Sequence, residues 1–220
     1  MSLSSLTLVA FVPGEKRRRG IARSAARLVF RLTGAWPKIQ GLEHLPDQAS
    51  VVVANHASYL DGILLTAVLP HRYRFVIKRE ITQVPVVNFF LNRIGAHFVE
   101  RFDTQRSASD ARRIMQTATN GDSLAFFPEG TFHTEPGLRR FHSGAFTIAV
   151  RSNMPLVPLT IRGTREMLPA DRWLPALTRL EVIINEAILT DETRDAGSIL
   201  DDCRERILKA LNEPDLTKPD

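Results

Sequence analysis

Val51-Val52-Val53-Ala54-Asn55-His56-Ala57-Ser58-Tyr59-Leu60-Asp61-Gly62 is the stretch on which the reading of this chain turns. Its first four residues are an uninterrupted apolar run dominated by β-branched side chains, the pattern of a short buried strand. Ser58, followed three residues later by Asp61, has the form of a capping box, which starts a helix. A strand therefore runs almost directly into a helix, with His56 at the junction.

The same alternation continues along the chain. Strand candidates lie at 51–54, 74–77, 97–99, 124–127, 156–161 and 180–184, and helix candidates at 59–69, 86–94, 104–119, 144–151 and 198–211. Strands alternating with helices predict an α/β sandwich with a central mixed or largely parallel sheet flanked by helices. The 220 residues suffice for one such domain with a sizeable core. We expect residues 37–220 to form it, after an N-terminal segment, 1–36. In sheets of this kind ligands collect beyond the carboxyl ends of the strands. Two polar groups fall at such ends, 55–61 and 128–131.

Charge narrows the function classes. Lys and Arg number 29 against 24 Asp and Glu, and the pI is about 9.9, which suits nucleic acid, a phosphorylated ligand or an anionic membrane. The excess crowds the N-terminal segment, where Lys16, Arg17, Arg18, Arg19, Arg23, Arg27 and Arg31 follow one another. Arg19, Arg23, Arg27 and Arg31 recur every four residues and form one stripe on a helix. Ile21, Ala25, Leu28, Leu32 and Trp36 fall on roughly the opposite side, and Pro37 closes the pattern. This is an amphipathic helix with a basic face, as interfacial membrane helices have. It reads equally as a helix docked on its own core with the arginines in water. The pI also permits a basic nucleic-acid-binding domain, the non-enzymatic alternative. These basic residues lack aromatic stacking positions and sit on one terminal helix, which argues against it. The apolar run 6–12 is far shorter than the roughly 20 residues a membrane span requires. Its charges follow it, whereas a signal peptide carries them in front. A membrane-bound form would therefore be peripheral. The single cysteine, Cys203, rules out an internal disulfide or multi-Cys metal site and fits a reducing compartment.

The chemistry centres on His56. Five residues apart on one helix, His56 and Asp61 would point about 140° apart, from about 100° per residue. They can meet only if His56 precedes the helix in extended backbone, which the strand end supplies. A carboxylate on one imidazole nitrogen fixes the tautomer and frees the other nitrogen to take a proton. An imidazole suits deprotonation of a hydroxyl near neutral pH. No Gly-x-Ser-x-Gly elbow is present, and Cys203 lies in a late helix beside acids. A base without its own nucleophile points to a substrate hydroxyl, hence to group transfer. In the second group, Phe126-Phe127-Pro128-Glu129-Gly130-Thr131, Pro128 ends a strand and Gly130 permits a sharp turn. An acid in such a turn would bond hydroxyls or orient a neighbouring arginine. His44, His71, His97, His133 and His142 show no spacing that suggests zinc.

Taken in order, Asn55-His56 with Asp61 in the spacing H-x4-D, Gly95 to Arg101, Phe127-Pro128-Glu129-Gly130-Thr131 and Val157-Pro158-Leu159 resemble four sequence blocks of the glycerolipid acyltransferases. The resemblance is specifically to the 1-acylglycerol-3-phosphate acyltransferase family, and it covers roughly 41–164. H-x4-D alone is weak, whereas the ordered set is specific. The resemblance implies that His56 is the general base and Asp61 the acid that orients it. It implies that Arg101 contacts the acceptor's phosphate, that Glu129, Gly130 and Thr131 shape acceptor binding, and that Pro158 packs near the acyl site. The implied reaction moves a fatty-acyl group from acyl-CoA or acyl-carrier protein to a lysophospholipid hydroxyl, at the cytoplasmic face of a membrane, with no cofactor and no metal. One departure stands out. The family often follows Glu-Gly-Thr with Arg-Ser, and this chain has Phe132-His133, which leaves Arg139 or Arg140 as substitutes and leaves room for another acceptor such as a lyso-ornithine-lipid.

Overall fold

The computed structural model describes residues 12–100, 104–172, 174–190 and 194–217. The elements are α1 (Glu15–Leu32), β1 (Lys38–Gln40), β2 (Val51–Ala54), α2 (Leu60–Val68), β3 (Tyr73–Lys78), α3 (Pro85–Arg93) and β4 (His97–Val99). Then follow α4 (Thr104–Thr119), β5 (Ser123–Phe126), α5 (Gly144–Arg151), β6 (Leu156–Arg162), α6 (Thr164–Met167), β7 (Glu181–Ile184) and α7 (Ala196–Leu211).

The strands form one seven-stranded mixed sheet in the order β1-β7-β6-β2-β5-β3-β4. From β6 to β4 every pairing is parallel, whereas β7 runs antiparallel to β6 and β1 parallel to β7. β1 was not anticipated, because three residues at the rim of a sheet carry no measurable alternation. The apolar run at 51–54 occupies the centre of the sheet, and all four side chains are fully buried. Each large aliphatic side chain so buried contributes at most about 1.5–3 kcal/mol.

The pleat divides that run between two cores. Val52 and Ala54 pack with Leu64, Leu65, Leu159, Phe30 and Ala35, under α1 and α2. Val51 and Val53 pack with Ile114, Phe146, Ile199 and Ile207, under α4, α5 and α7. This is an α/β sandwich with helices on both faces of the sheet. Because β2 through β6 are parallel, their carboxyl ends share one edge, and that edge carries His56 and Glu129.

The N-terminal helix corrects two expectations. It ends well before Pro37, at Leu32, where Gly34 adopts φ 69° and the bonds Ala35 N–H to Phe30 O (2.9 Å) and Gly34 N–H to Arg31 O (3.2 Å) make a Schellman motif. More important, the arginine stripe faces inward. Arg27 Nε donates to Ala67 O at 2.8 Å and Arg23 Nη2 to Val68 O at 3.3 Å. Arg19, only 5% exposed, donates to His71 O at 2.7 Å and reaches Asp122 at 3.4 Å. These carbonyls lie at and just beyond the end of α2, where a helix leaves its last C=O groups unpaired and carries partial negative charge. Guanidinium donors satisfy them, and the arginine stems cover apolar surface beside Ala22, Ala26 and Phe30. Arg31, the last of the stripe, stays exposed, and the solvent-facing part of the helix mixes Lys16, Arg17, Ser24 and Arg31 with apolar residues near its C-terminal end. Leu28, Val29, Leu32 and Trp36 are all exposed, with Arg31 5.0 Å over the Trp36 ring. Among the described residues no helix is long and apolar enough to cross a membrane.

Candidate active site

His56 leaves the end of β2 in the interval before α2, and this backbone lets it meet Asp61. His56 Nδ1 lies 2.8 Å from Asp61 Oδ2. The same oxygen accepts from Ala57 N–H at 2.6 Å and Ser58 N–H at 2.8 Å. An oxygen already accepting two amide bonds receives a third from the ring, so Nδ1 carries the hydrogen and Nε2 is the basic nitrogen. Ser58 Oγ in turn accepts from Leu60 N–H at 3.2 Å. The predicted capping box does not form as such, since the N-cap residue, Tyr59, makes no side-chain capping bond. Asp61 instead uses one oxygen, from a fully buried position, to hold His56 and the two amides ahead of α2.

Glu129 reaches the same loop from the neighbouring strand β5. Its Oε1 accepts from the His56 backbone N–H at 2.7 Å and its Oε2 from Arg139 N–H at 3.0 Å. The carboxyl is 7% exposed. Burial pushes its pKa up from the ordinary value, against the pull of the two amide hydrogen bonds. Gly130 makes the turn that aims it, with φ 76° and its N–H bonded to Phe127 O at 3.0 Å. Thr131 follows, half-buried. Asn55 ties the loop to β6 on the other side, where its amide exchanges hydrogen bonds with Ile161 O (3.0 Å) and Ile161 N–H (2.7 Å). Pro158 lies in the same strand, paired in register with Val53. Arg101 lies outside the described residues.

Aromatic rings enclose the imidazole. Phe127 stacks on its face with centroids 4.3 Å apart, and Phe132 meets it edge-on at 4.7 Å. Phe132 also meets Tyr59 at 4.6 Å. Sequence reasoning noticed Phe132 only as a departure from Arg, although an aromatic one residue past Glu-Gly-Thr was a signal that the ring could face His56. Of the alternative cations, Arg139 is half-buried and Arg140 exposed, and neither guanidinium has a partner among the described residues.

The loop 130–139 is held from the far end of the chain. Arg165 donates to His133 O at 2.6 Å and pairs with Glu213 at 3.2 Å, while Glu213 accepts from Gly137 N–H at 2.6 Å. Arg204 donates to Leu138 O (3.0 Å) and Arg139 O (3.3 Å) and pairs with Asp215, whose carboxyl it holds well below the usual range. Leu138 N–H and Leu216 N–H complete the strap through bonds to Pro214 O and Leu138 O. Nothing local in the sequence joins 130–139 to 213–216.

Neither serine nor thiol stands ready as a nucleophile here. Ser58 is fully buried, and its hydroxyl donates to Leu168 O at 2.7 Å. Cys203 is buried in the core beneath α7, and burial pushes its thiol pKa up. The site is thus an imidazole oriented by a buried carboxylate at the carboxyl edge of an α/β sheet, with no hydroxyl or thiol bonded to its Nε2 among the described residues.

Comparison with known proteins gives the family. The acyltransferase family model matches residues 37–162, and the chain belongs to that family. A chloroplast 1-acyl-sn-glycerol-3-phosphate acyltransferase of Brassica napus is 34% identical over 177 residues, covering 79% of this chain and 50% of that protein. Its counterpart in Arabidopsis thaliana is 35% identical over 133 residues, covering 60% of this chain and 37% of that protein. This chain thus spans about half or less of these relatives' length. Among solved structures, the 1-acyl-sn-glycerophosphate acyltransferase PlsC of Thermotoga maritima shares the fold. Its TM-score is 0.75 at 22% identity, covering 94% of this chain and 85% of that one.

Proposed function

We propose that this enzyme transfers a fatty-acyl group from acyl-CoA or acyl-carrier protein to the free hydroxyl of 1-acylglycerol-3-phosphate, giving phosphatidic acid. The observation that carries the reading is the His56–Asp61 pair, with Nε2 unpartnered among the described residues on a side chain 18% exposed. In this reading His56 Nε2 takes the hydroxyl proton as the oxygen attacks the thioester carbonyl. Asp61 holds the ring and stabilises the imidazolium. The C–S bond then breaks, and the imidazolium returns the proton to the departing thiolate. Glu129 acts through the backbone by fixing the His56 amide. Arg101, with Arg139 beside the loop, is assigned to the acceptor phosphate, and Gly130 and Thr131 to the shape of the acceptor site. The names of the relatives above support the acceptor.

Phe132 favours a second reading of the acceptor. An aromatic ring against His56, where the family often carries arginine, suits a lysolipid whose head group is not a phosphate monoester, such as a lyso-ornithine-lipid. We further infer that the protein works as a peripheral protein on a membrane, at its cytoplasmic face. Supporting this, Leu28, Val29 and Leu32 at the end of α1 and Trp36 just beyond it are exposed beside the cation of Arg31, while Arg23 and Arg27 are bonded to α2. The test is an acyl-transfer assay of the purified protein with lysophosphatidic acid, lyso-ornithine-lipid and monoacylglycerol, each with both donor types. Transfer to lysophosphatidic acid at the highest kcat/KM is the expected result. A preference for an acceptor without phosphate would select the second reading, and no transfer to any would overturn both.

A further inference from the structure

The segment between β6 and β7 carries an exposed apolar tip on a fixed base. β6 ends at Arg162 opposite Glu181, where β7 begins antiparallel. Residues 163–180 therefore leave and rejoin the sheet at the edge that carries His56. Their base is closed tightly. Gly163 has φ 87°, and a Cβ there would lie 2.0 Å from Arg179 O. Thr178 Oγ donates to Gly163 O at 2.9 Å, and Ala176 N–H to Met167 O at 2.8 Å. Met167 and Leu180 sink into the same core as Phe30 and Ala35 of the α1 region.

From this base Leu174 and Leu177 project with 82% and 78% of their surface exposed. Among the described large hydrophobic residues they are the most exposed, followed by Leu32 of α1 at 77% and Leu189 at 69%. Two leucines three residues apart at one tip, on a base that is itself hydrogen-bonded and core-packed, make a local apolar projection rather than a single exposed residue. Arg172 and Arg179 flank the tip, both exposed and without a carboxylate partner among the described residues. Leucines flanked by arginines match a bilayer interface, apolar below and anionic at the head groups. They do not match a protein partner, since a stable interface buries about 1,200–2,000 Å², and one loop tip supplies little of that.

Two connections join this tip to what has been described. Lys38 N–H donates to Leu180 O at 2.8 Å, which sets the outward Trp36 and Leu32 beside the loop's return. Ser58 Oγ donates to Leu168 O at 2.7 Å, so the loop's base is bonded to the segment that follows His56. We propose that residues 168–172 and 174–179 form a second lipid-contacting element. With the outer face of α1 it makes a two-point footing on an anionic bilayer that sets the His56 edge at the head-group level. The proposal rests on the reading that the protein works at a membrane surface.

The test uses the full chain and substrate-free vesicles, so its outcome is independent of whether acyl transfer is found. Wild type, Leu174→Asp/Leu177→Asp and Arg172→Gln/Arg179→Gln are floated with vesicles of phosphatidylcholine and phosphatidylglycerol, at low and high salt. Equal melting temperatures serve as the control for folding. The leucine variant is expected to bind about tenfold more weakly or worse, and the arginine variant to lose salt-sensitive binding. A Leu174→Trp probe is expected to shift its emission to the blue on adding vesicles. Wild-type flotation by the leucine variant, or an unshifted probe, would overturn the proposal. So would leucine substitutions that change only the oligomeric state, which would make the tip a contact with a second copy.

Discussion

His56 and His97 belong to the same sheet, and their surroundings make them different chemical objects. His56 sits past the end of β2 with a buried carboxylate on Nδ1 and aromatic rings around it. His97 opens β4 beside the ionic cluster of Glu15, Arg19, Arg74 and Asp122, and its Nε2 is buried without a hydrogen-bond partner among the described residues. Burial, with Arg74 and Arg113 nearby, lowers the His97 pKa to about 4. One ring is oriented by an acceptor and keeps a nitrogen open. The other lies among ion pairs, where burial and two arginines keep it neutral. A carboxylate partner with an open nitrogen, against burial without a partner, separates a candidate base from a structural imidazole.

The largest effect that could break this contrast belongs to Asp61→Asn. The asparagine oxygen can keep the three donors that Oδ2 accepts, but the substitution removes the negative charge that stabilises the imidazolium. Turnover should fall about 10²–10⁴-fold, measured as kcat with saturating donor and acceptor. Retained kcat in a folded variant would make Asp61 only a tie for the loop backbone. Next, Arg19→Gln, Arg23→Gln and Arg27→Gln together should undock α1 and cost about 2–4 kcal/mol, since charge-assisted bonds to the α2 carbonyls are lost. Urea denaturation reads this directly, and unchanged stability would return the arginines to solvent.

Glu129→Gln sharpens the contrast at the backbone level. One amide, of His56 or Arg139, must face an N–H₂ group, at a cost of about 1–3 kcal/mol. The loss should appear in kcat more than in the acceptor KM, because the residue holds the base's backbone. A pure KM effect would instead make Glu129 an acceptor contact. The smallest effect is a pH dependence from His97. Its folded pKa is depressed, so the neutral ring's contribution is fully present above the unfolded value of about 6.5 and is lost as pH falls toward about 4. His97→Gln should therefore flatten the fall in melting temperature across that window. A parallel profile would show that His97 protonates equally in both states.

What was legible in the sequence is what is local or strictly periodic. The buried run at 51–54, the helix that starts just after Ser58 and the five-residue reach from His56 to Asp61 all lie within one stretch, so spacing and residue type decide them. The bond from Glu129 to the His56 amide spans 73 positions, and the Arg165–Glu213 and Arg204–Asp215 pairs join segments that nothing in either one announces. On α1 the period of four showed that two faces exist but not which one docks. Arginine can bury its stem and donate to carbonyls as readily as it can face water, and the unpaired carbonyls of α2 decided the matter.

The central claim is that His56 takes the acceptor's proton. The most direct measurement is the rate of acyl transfer by His56→Ala, checked by circular dichroism to be folded and assayed beside wild type with the preferred acceptor. The residue lies in the loop between β2 and α2, so the fold should survive its loss. The account expects turnover lowered about 10²–10⁴-fold with the protein still folded. Transfer at the wild-type rate by a folded His56→Ala protein would contradict it.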